Sequence, residues 1–552
     1  MGSEPLDCTG LSGALREICD RLAKTEGVVA DSLAAADARV VYAEENLVNF
    51  FLIWGSSLVL FMHAGFAMLS AGAVRTKNAK NILISITMDL TVCAIAWYLC
   101  GFAFAFGNDQ GGFIGSSFWV GIDVGSTATG VSSFYFWLFQ YCFAATSATI
   151  VSGAVAERAR FDAYLLYSFY ISFWVYPVVV HWVWGGGFLT LGNWSGKSLM
   201  QSGVVDFAGC GPVHMVGGLA GAIASKIMGP RIGRFDPESG KPLPIPGHSS
   251  PLATLGVFIL WVGWIGFNCG SIINLAAPGA GPVAARAGVT TILSSATGAL
   301  SAMFFAHYLT KEGDYDLGMA LNGALAGLVS VTGCAAYVEM WAAVAIGFIG
   351  GIIYVSSSRF TLHTLKIDDP LDATPVHFFC GMWGLVAGAF FTNPNLLRFA
   401  FPSDDRVLGY PIQIPSGVFY GGNTYVTIVN GTETPGGDIN GALVANAVVE
   451  IVCVIAWVTV FTTPFFLLLH KVGILRVPSD IEEMGLDVSH HGGEAYPGLF
   501  HAYGFDNDGN LKKPASAPAA VPAPAVATAA PPAAAPTTAV PPAAASGDIE
   551  KQ

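Results

Sequence analysis

The feature that most limits the fold of this chain is a series of apolar blocks about as long as a bilayer is thick. A helix needs roughly 20 consecutive apolar residues to cross the hydrocarbon core. Eleven such blocks lie at 46–72, 81–106, 133–155, 162–184, 207–228, 252–275, 287–309, 317–336, 338–357, 375–392 and 441–469. Only 11% of the 552 residues are charged, against about 25% in soluble proteins. The sequence therefore predicts an all-α polytopic membrane protein with eleven transmembrane helices and excludes a soluble enzyme.

The positive charges of the loops predict how these helices are oriented. Loops after odd-numbered blocks carry fourteen Lys and Arg residues, and loops after even-numbered blocks carry four. Cytoplasmic loops hold the excess of positive charge, so the N-terminus is predicted outside and the C-terminus inside. The sequon Asn430-Gly431-Thr432 falls in the outer loop 393–440, which makes Asn430 a glycosylation candidate.

The rest of the chain is polar and divides around the eleven-helix transport domain, 46–469. Residues 1–45 form an extracellular segment without the short apolar core of a signal peptide. Its Cys8 and Cys19 would allow a disulfide within one subunit or between two. Residues 470–511 form a polar cytoplasmic segment. The Pro/Ala-rich tail, 512–552, has a composition typical of disorder.

Several functional classes lack a signal in this sequence. No basic patch interleaved with aromatic residues points to nucleic acid, and no CxxC pair suggests a metal site. No nucleophile–base pair appears in the spans. We therefore predict no metal, no cofactor and no enzymatic activity, and expect the lipid bilayer as the surroundings of the chain.

An internal repeat opens the fifth and the tenth blocks. Each copy contains an Asp, then Pro-Val-His, then Gly at four and seven residues past the His. The Asp and His are Asp206 and His214 in one copy, and Asp372 and His377 in the other. The two blocks enter from opposite sides, so the pattern predicts an inverted repeat of five plus five helices with an eleventh added. The glycines predict close packing of helices at this level.

The repeat predicts that its two histidines meet near the middle of the membrane. At a rise of 1.5 Å per residue, His214 would lie about 12 Å below Asp206, and His377 about 8 Å from Asp372. Half of the hydrocarbon core is about 15 Å thick. Ionisable groups at this depth often mark ion or proton paths, and histidine can accept and donate protons near neutral pH. Packing between helices is the alternative role for the histidines. Both aspartates are typical helix caps that would also add negative potential near a cation path.

Six stretches, in order along the chain, resemble the Amt/Mep/Rh ammonium transporter family, and specifically its plant- and alga-type Amt branch. They are Arg75-Thr-Lys-Asn-Ala-Lys-Asn, Ala156-Glu157-Arg158, Val183-Trp184-Gly-Gly-Gly, Asp206-Phe-Ala-Gly, Trp264-Ile-Gly-Phe267-Asn-Cys-Gly-Ser271 and Asp372 through Gly384. The resemblance covers roughly residues 46–490. It implies an eleven-span homotrimer in the plasma membrane, with one ammonium pore in each subunit.

The resemblance also carries functional residues to matching positions of this chain. The implied outer ammonium site consists of Phe143, Trp184, Ser271 and Gln140. The implied gate is the pair Phe143 and Phe267, the implied proton relay is His214 and His377, and Asp206 is implied in cation recognition and deprotonation.

The chemistry of ammonium fits these residue types. Aromatic faces attract cations, and a hydroxyl such as that of Ser271 accepts an N–H bond that potassium cannot offer. An apolar pore makes passage of the intact ion costly. Ammonia would therefore cross alone, while the proton stays outside or follows the His pair. Methylammonium is a candidate second substrate.

Two observations leave alternatives open. Phe378 and Phe379 follow the second pore histidine, where small residues are usual, and either ring would hinder conduction if it faced the lumen. The rival functions are an ammonium sensor that signals through its tail and an Rh-like channel for ammonia or carbon dioxide. Trp184 and Ser271 favour a site for charged ammonium over the gas channel.

The segment 479–496 resembles the regulatory C-terminal stretch of the family. Ser489 occupies the position of a phosphorylated threonine, with His490 where a basic residue is usual. The resemblance implies that this stretch docks on the neighbouring subunit and that a kinase closes the pores by phosphorylating it. A solvated serine without regulatory role is the alternative.

Overall fold

Eleven helices of at least 16 residues form the described body of this protein, seen here in a computed structural model. The structure describes residues 9, 12–125, 134–191, 198–310, 314–400, 412–421, 426–429, 432–435 and 441–496. The helices are α1 (Ala14–Ala73), α2 (Thr76–Phe106), α3 (Phe134–Val155), α4 (Phe161–Val183), α5 (Cys210–Met228), α6 (Ser250–Gly270), α7 (Ala280–Thr310), α8 (Leu317–Thr332), α9 (Met340–Thr364), α10 (Thr374–Phe391) and α11 (Ala442–Val472). All of them belong to the compact unit that ends at Ala495.

Each predicted apolar block coincides with one of these helices. Within the described ranges, nine helices are long and apolar enough to cross a membrane. The other two are α8, which has 16 residues, and α5, in which a six-residue π-turn precedes 13 residues of α-helix. The largest difference is at the start of α1, which begins at Ala14 rather than near residue 46.

The N-terminal part of α1 extends the first span into the polar segment. Most side chains between Ala14 and Leu47 are exposed, while Cys19 is buried and disulfide-bonded. Cys8 lies outside the described residues, so its pairing stays a prediction.

Several helices contain π-turns, in which the backbone makes one wider turn. They lie at Trp97–Gly101, Ile171–Val175, Cys210–Met215, Phe360–Thr364 and Thr374–Phe379. Such turns are frequent at functional sites. The third and the fifth open α5 and α10 and hold His214 and His377.

Glycines allow the helices at the centre to pack closely. A Cβ atom on Gly218 of α5 would lie 2.5 Å from the backbone nitrogen of Phe378. On α10, a Cβ atom on Gly381 would lie 2.9 Å from the carbonyl oxygen of Cys210, and one on Gly384 would lie 2.3 Å from its sulfur. The close packing predicted from the repeat is confirmed, because no larger side chain fits at these contacts.

The loops contain short strands in two small antiparallel sheets. β1 (Asp109–Gln110) pairs with β2 (Ile114–Gly115), and the second sheet has the order β3 (Ile412–Ile414), β4 (Val426–Val429), β5 (Thr432–Pro435). A short helix, Pro394–Ala400, precedes the second sheet. The glycosylation candidate Asn430 lies outside the described residues.

A buried ion network joins the loops at one end of the bundle. Glu157 pairs with Arg75 at 2.9 Å and with Arg231 at 2.8 Å, and Arg231 also pairs with Asp368 at 2.8 Å. Burial alone would raise the pKa of Glu157, but Arg231 and Arg75 outweigh burial and hold that pKa at about 2. Arg231 likewise outweighs the effect of burial on Asp368 and holds its pKa at about 2. The network therefore consists of charged groups at neutral pH.

Candidate functional site

A column of stacked rings runs through the centre of the bundle. Phe143 on α3 and Phe267 on α6 stack with their centroids 4.1 Å apart and are almost completely buried. Trp184, at the end of α4, meets Phe143 edge to face at 6.1 Å. The structure therefore brings together the three aromatic residues of the predicted outer site and gate.

The column continues through the two predicted pore histidines. The His214 ring stacks on Phe267 at 5.6 Å and on Trp264 at 5.3 Å. The Nδ1 atoms of His214 and His377 are 3.2 Å apart, within hydrogen-bond distance. One ring must donate and the other accept, so a proton can lie on either ring. The contact that the predicted proton relay requires is therefore present, while the relay itself stays a prediction.

Asp206 fixes the start of α5 and thereby the position of His214. Its carboxylate accepts the backbone N–H groups of Gly209, Cys210 and Gly211 at 2.8–2.9 Å. Helix ends need such acceptors, because the first N–H groups have no partner within the helix. Gly209 adopts φ 105°, a left-handed conformation suited to glycine. Asp206 also approaches the aromatic site, since Trp184 Nε1 donates to its carbonyl oxygen at 2.8 Å.

The cap in the second repeat is Asp369 and not Asp372, which corrects the expectation from the sequence. Asp369 accepts the backbone N–H groups of Ala373 and Thr374 at 3.0 and 2.7 Å. Asp372 instead accepts the hydroxyls of Tyr354 and Ser358 at 2.9 and 3.0 Å. The backbone of Asp372 is left-handed, with φ 56°, and its carboxylate binds hydroxyl groups of α9 in place of the first N–H groups of α10. The signal was present, since Asp369 precedes His377 by eight residues, as Asp206 precedes His214.

Two polar side chains of the predicted site lie one helical turn away from the stacked phenyl rings in sequence. Ser271 follows Phe267 by one turn and donates to its carbonyl oxygen at 2.8 Å, so the hydroxyl oxygen keeps acceptor capacity. Gln140 precedes Phe143 by one turn, and its buried Oε1 accepts no hydrogen bond from the described residues. Both groups can accept an N–H bond.

His377 borders a cavity of about 30 Å³, which is large enough to hold water. Its lining includes His377 and Val376 together with polar groups of Ser70, Thr149 and Asn322. The phenyl ring of Phe379 contacts that of Phe360 edge to face at 6.3 Å, and Phe378 is 9% exposed and packs against Gly218. Neither phenyl ring belongs to the described lining of this cavity.

The C-terminal segment docks on the loops at the charged end of the same chain. It contains two short helices, α12 (Ser479–Met484) and α13 (Leu486–His490). The buried carboxylate of Asp487 accepts the backbone N–H groups of Lys80 and Asn81, at the start of α2, at 2.9 and 2.8 Å. Ser489 is half-buried and donates its hydroxyl to the carbonyl oxygen of Gly485 at 2.8 Å. The described contacts are within one chain, so docking on a neighbouring subunit stays a prediction.

With this geometry in place, comparison with known proteins identifies the family. Residues 49–496 match the Ammonium Transporter Family. The chain belongs to this family. Ammonium transporter 3 of Dictyostelium discoideum is 39% identical over 442 residues, which cover 80% of this chain and 92% of that protein. Ammonium transporter 1 member 3 of Solanum lycopersicum is 40% identical over 459 residues, covering 82% and 93%.

Solved structures agree with this assignment. The structure titled Sensor Amt Protein matches this member of the family with a TM-score of 0.67 and 29% identity, covering 82% of this chain and 99% of that one. The crystal structure of Candida albicans Mep2 matches with a TM-score of 0.65 and 27% identity, covering 78% and 86%. The chain is therefore an integral membrane protein of a family of transporters.

Proposed function

We propose that this protein carries ammonium across the plasma membrane along the ring column. Membership of the ammonium transporter family supports the substrate. The observation that carries the route is the continuous series from Trp184 through Phe143 and Phe267 to the histidine pair. The eleven helices, an N-terminus outside, and a homotrimer with one pore in each subunit are part of this proposal.

Recognition takes place at the outer end of the column. The faces of Trp184 and Phe143 attract the cation by about 0.5–2 kcal/mol each. Ser271 and Gln140 accept N–H bonds, which distinguish ammonium from an alkali ion of similar size. Asp206 adds negative potential from the start of α5. Methylammonium, which keeps three N–H groups, is accepted by the same chemistry.

Conduction begins when the ion loses its proton. Moving an isolated charge through a dry apolar stretch costs several kcal/mol, so ammonia passes the Phe143–Phe267 gate in neutral form. The proton either returns outside or moves between His214 and His377 through their Nδ1–Nδ1 hydrogen bond. Ammonia takes up a proton again on the inner side. The only bond broken is one N–H bond, which forms again on the inner side, so the substrate leaves unchanged and the protein acts as a transporter rather than an enzyme.

Growth and current measurements test transport. Expression in yeast lacking its own ammonium transporters should restore growth on low ammonium, and oocytes expressing the protein should pass current or accumulate methylammonium. Absence of both activities, with normal surface expression, would refute transport.

The histidine relay has a separate test. His214→Leu and His377→Leu should each lower the current by more than they lower the amount of protein at the surface. His63, a buried histidine on α1, provides a matched control, since His63→Leu also removes an imidazole from the membrane but leaves the relay intact. Equal currents in wild type and in both relay variants would exclude the relay.

An ammonium sensor is the second candidate, because one solved structure similar to this chain is titled Sensor Amt Protein. A sensor would bind ammonium at the same outer site without supporting growth. Binding to the purified protein, combined with failure of yeast complementation, would favour the sensor over the transporter.

A further inference from the structure

A second carboxyl group lies beside Asp206, on the eleventh helix. Glu450 is completely buried in α11. Neither of its carboxyl oxygens accepts a hydrogen bond from a donor group among the described residues. An ionised carboxylate in this position would lose its hydration without replacement, at a cost of several kcal/mol.

Gly211 separates the two carboxyl groups. A Cβ atom at Gly211 would lie 2.1 Å from Glu450 Oε1 and 3.4 Å from Asp206 Oδ2. Both carboxyl groups therefore border the same small space beside the Cα atom of Gly211. The absence of a side chain at position 211 therefore provides the space into which the Glu450 carboxyl group fits.

The surroundings decide which of the two groups holds a proton. Two adjacent buried carboxyl groups do not both ionise, because like charges repel and burial penalises each charge. Asp206 receives three backbone N–H bonds that favour its charged form, whereas Glu450 receives none from the described residues. The proton therefore belongs on Glu450. A protonated carboxyl group has one O–H to donate, and Asp206 is the adjacent acceptor.

We propose that Glu450 stays protonated and donates its hydrogen to Asp206 as a fourth hydrogen bond that keeps Asp206 ionised. Glu450 is thus a positioning residue for the outer end of the pathway and does not touch ammonium. The inference rests on the proposed role of Asp206 and deepens it. Among the described residues, the other titratable groups that interact with the pair are the thiols of Cys210, Cys334 and Cys453, so no second charge in that part of the chain replaces this hydrogen bond.

The transport test compares two substitutions of this residue. Glu450→Gln keeps a neutral donor of nearly the same shape, so its current and KM for ammonium should stay within about threefold of wild type. Glu450→Leu removes the donor. One hydrogen bond to a charged group contributes about 1.5–3 kcal/mol. Without it, Asp206 takes up a proton more easily, so the pH at which the current falls on acidification should rise by about one to two units.

A control on the same helix separates this effect from loss of packing. Asn446 is also fully buried in α11 and donates to Gly203 and Ser202. Asn446→Ala should lower surface expression but leave the pH profile in place. A tenfold or larger rise in KM for Glu450→Gln would mean that Glu450 is ionised, and an unshifted profile for Glu450→Leu would mean that it does not support Asp206. Either result overturns the proposal.

Infrared spectroscopy of the purified full-length protein gives a readout that needs no transport. The wild-type minus Glu450→Gln difference spectrum should contain the C=O stretch of a protonated carboxyl group, unchanged between pH 5 and pH 8. Absence of that band overturns the proposal even if transport is normal. If the band is present but the protein does not transport ammonium, the proposed function fails while the protonated state of Glu450 stands.

Discussion

Substitution of Asp487 tests directly how the C-terminal segment is held against the start of α2. Its carboxylate replaces the missing acceptors at the start of α2, about 400 residues away in sequence, through bonds to Lys80 and Asn81. An N-cap contributes about 0.5–2 kcal/mol, and each buried N–H left without partner costs about 1–3 kcal/mol. Asp487→Ala should therefore weaken docking by about 2–4 kcal/mol, which corresponds to an undocked population about 30- to 1000-fold larger.

Hydrogen–deuterium exchange on the purified full-length protein measures this change. Peptides covering residues 479–496 should exchange at least about 30-fold faster in Asp487→Ala, since the exchange rate follows the open population. Asp480→Ala is the matched control, because Asp480 lies exposed in the same segment. Exchange in Asp487→Ala as slow as in wild type and in the control would show that Asp487 does not hold the segment.

Three further predictions concern the same end of the molecule. Ser489→Asp should lower ammonium flux and suppress wild-type partners in mixed forms of the proposed trimer, because it adds negative charge to the segment that contains Asp487. Ser489→Ala removes the hydroxyl without adding charge and should not lower the flux; wild-type currents in Ser489→Asp would contradict this. Gly485→Ala should accelerate exchange of the C-terminal segment, since Gly485 has φ 106° and a Cβ atom there would lie 2.6 Å from Lys77 Cβ. Unchanged exchange would show that a side chain at position 485 does not disturb docking of the segment. Because the pKa of Glu157 is lowered from 4.5 to about 2, its stabilising effect is complete above pH 4.5 and should disappear as the pH falls toward 2. In Arg231→Met the melting temperature at pH 7 should fall and depend less on pH in this window, and an equal acid dependence in both proteins would exclude Glu157 as the cause.

The sequence predicts the helices well because bilayer thickness imposes a length that can be counted. It says less about the first 45 residues, where α1 already begins at Ala14. Polar residues there alternate with alanines and valines, so no apolar block marks the helix. Hydrophobicity predicts which residues of a helix contact lipid, but it does not predict where a helix continues into water.

The site was predictable where two copies of a pattern could be compared. His214 and His377 stand out through the repeat, and the structure brings their rings together. Asp369 was missed because the nearer Asp372 gave a more obvious match to the motif. Glu450 was missed although a single acid within an apolar block is a recognisable signal. The contact of Asp487 with α2 has no local signal, since it joins residues far apart in sequence.

His214 and His377 lie within the π-turns that open α5 and α10. The position of each imidazole therefore depends on the number of residues in its turn as much as on the histidine itself. A π-turn results when one extra residue is accommodated in an α-helical turn. Deleting one residue between Cys210 and Met215 would return the turn to 3.6 residues and rotate the flanking parts by about 100° relative to each other. A chain with this deletion could keep both histidines and the helix cap formed by Asp206. Its two imidazoles would nevertheless face neighbours other than those they have in the full-length chain.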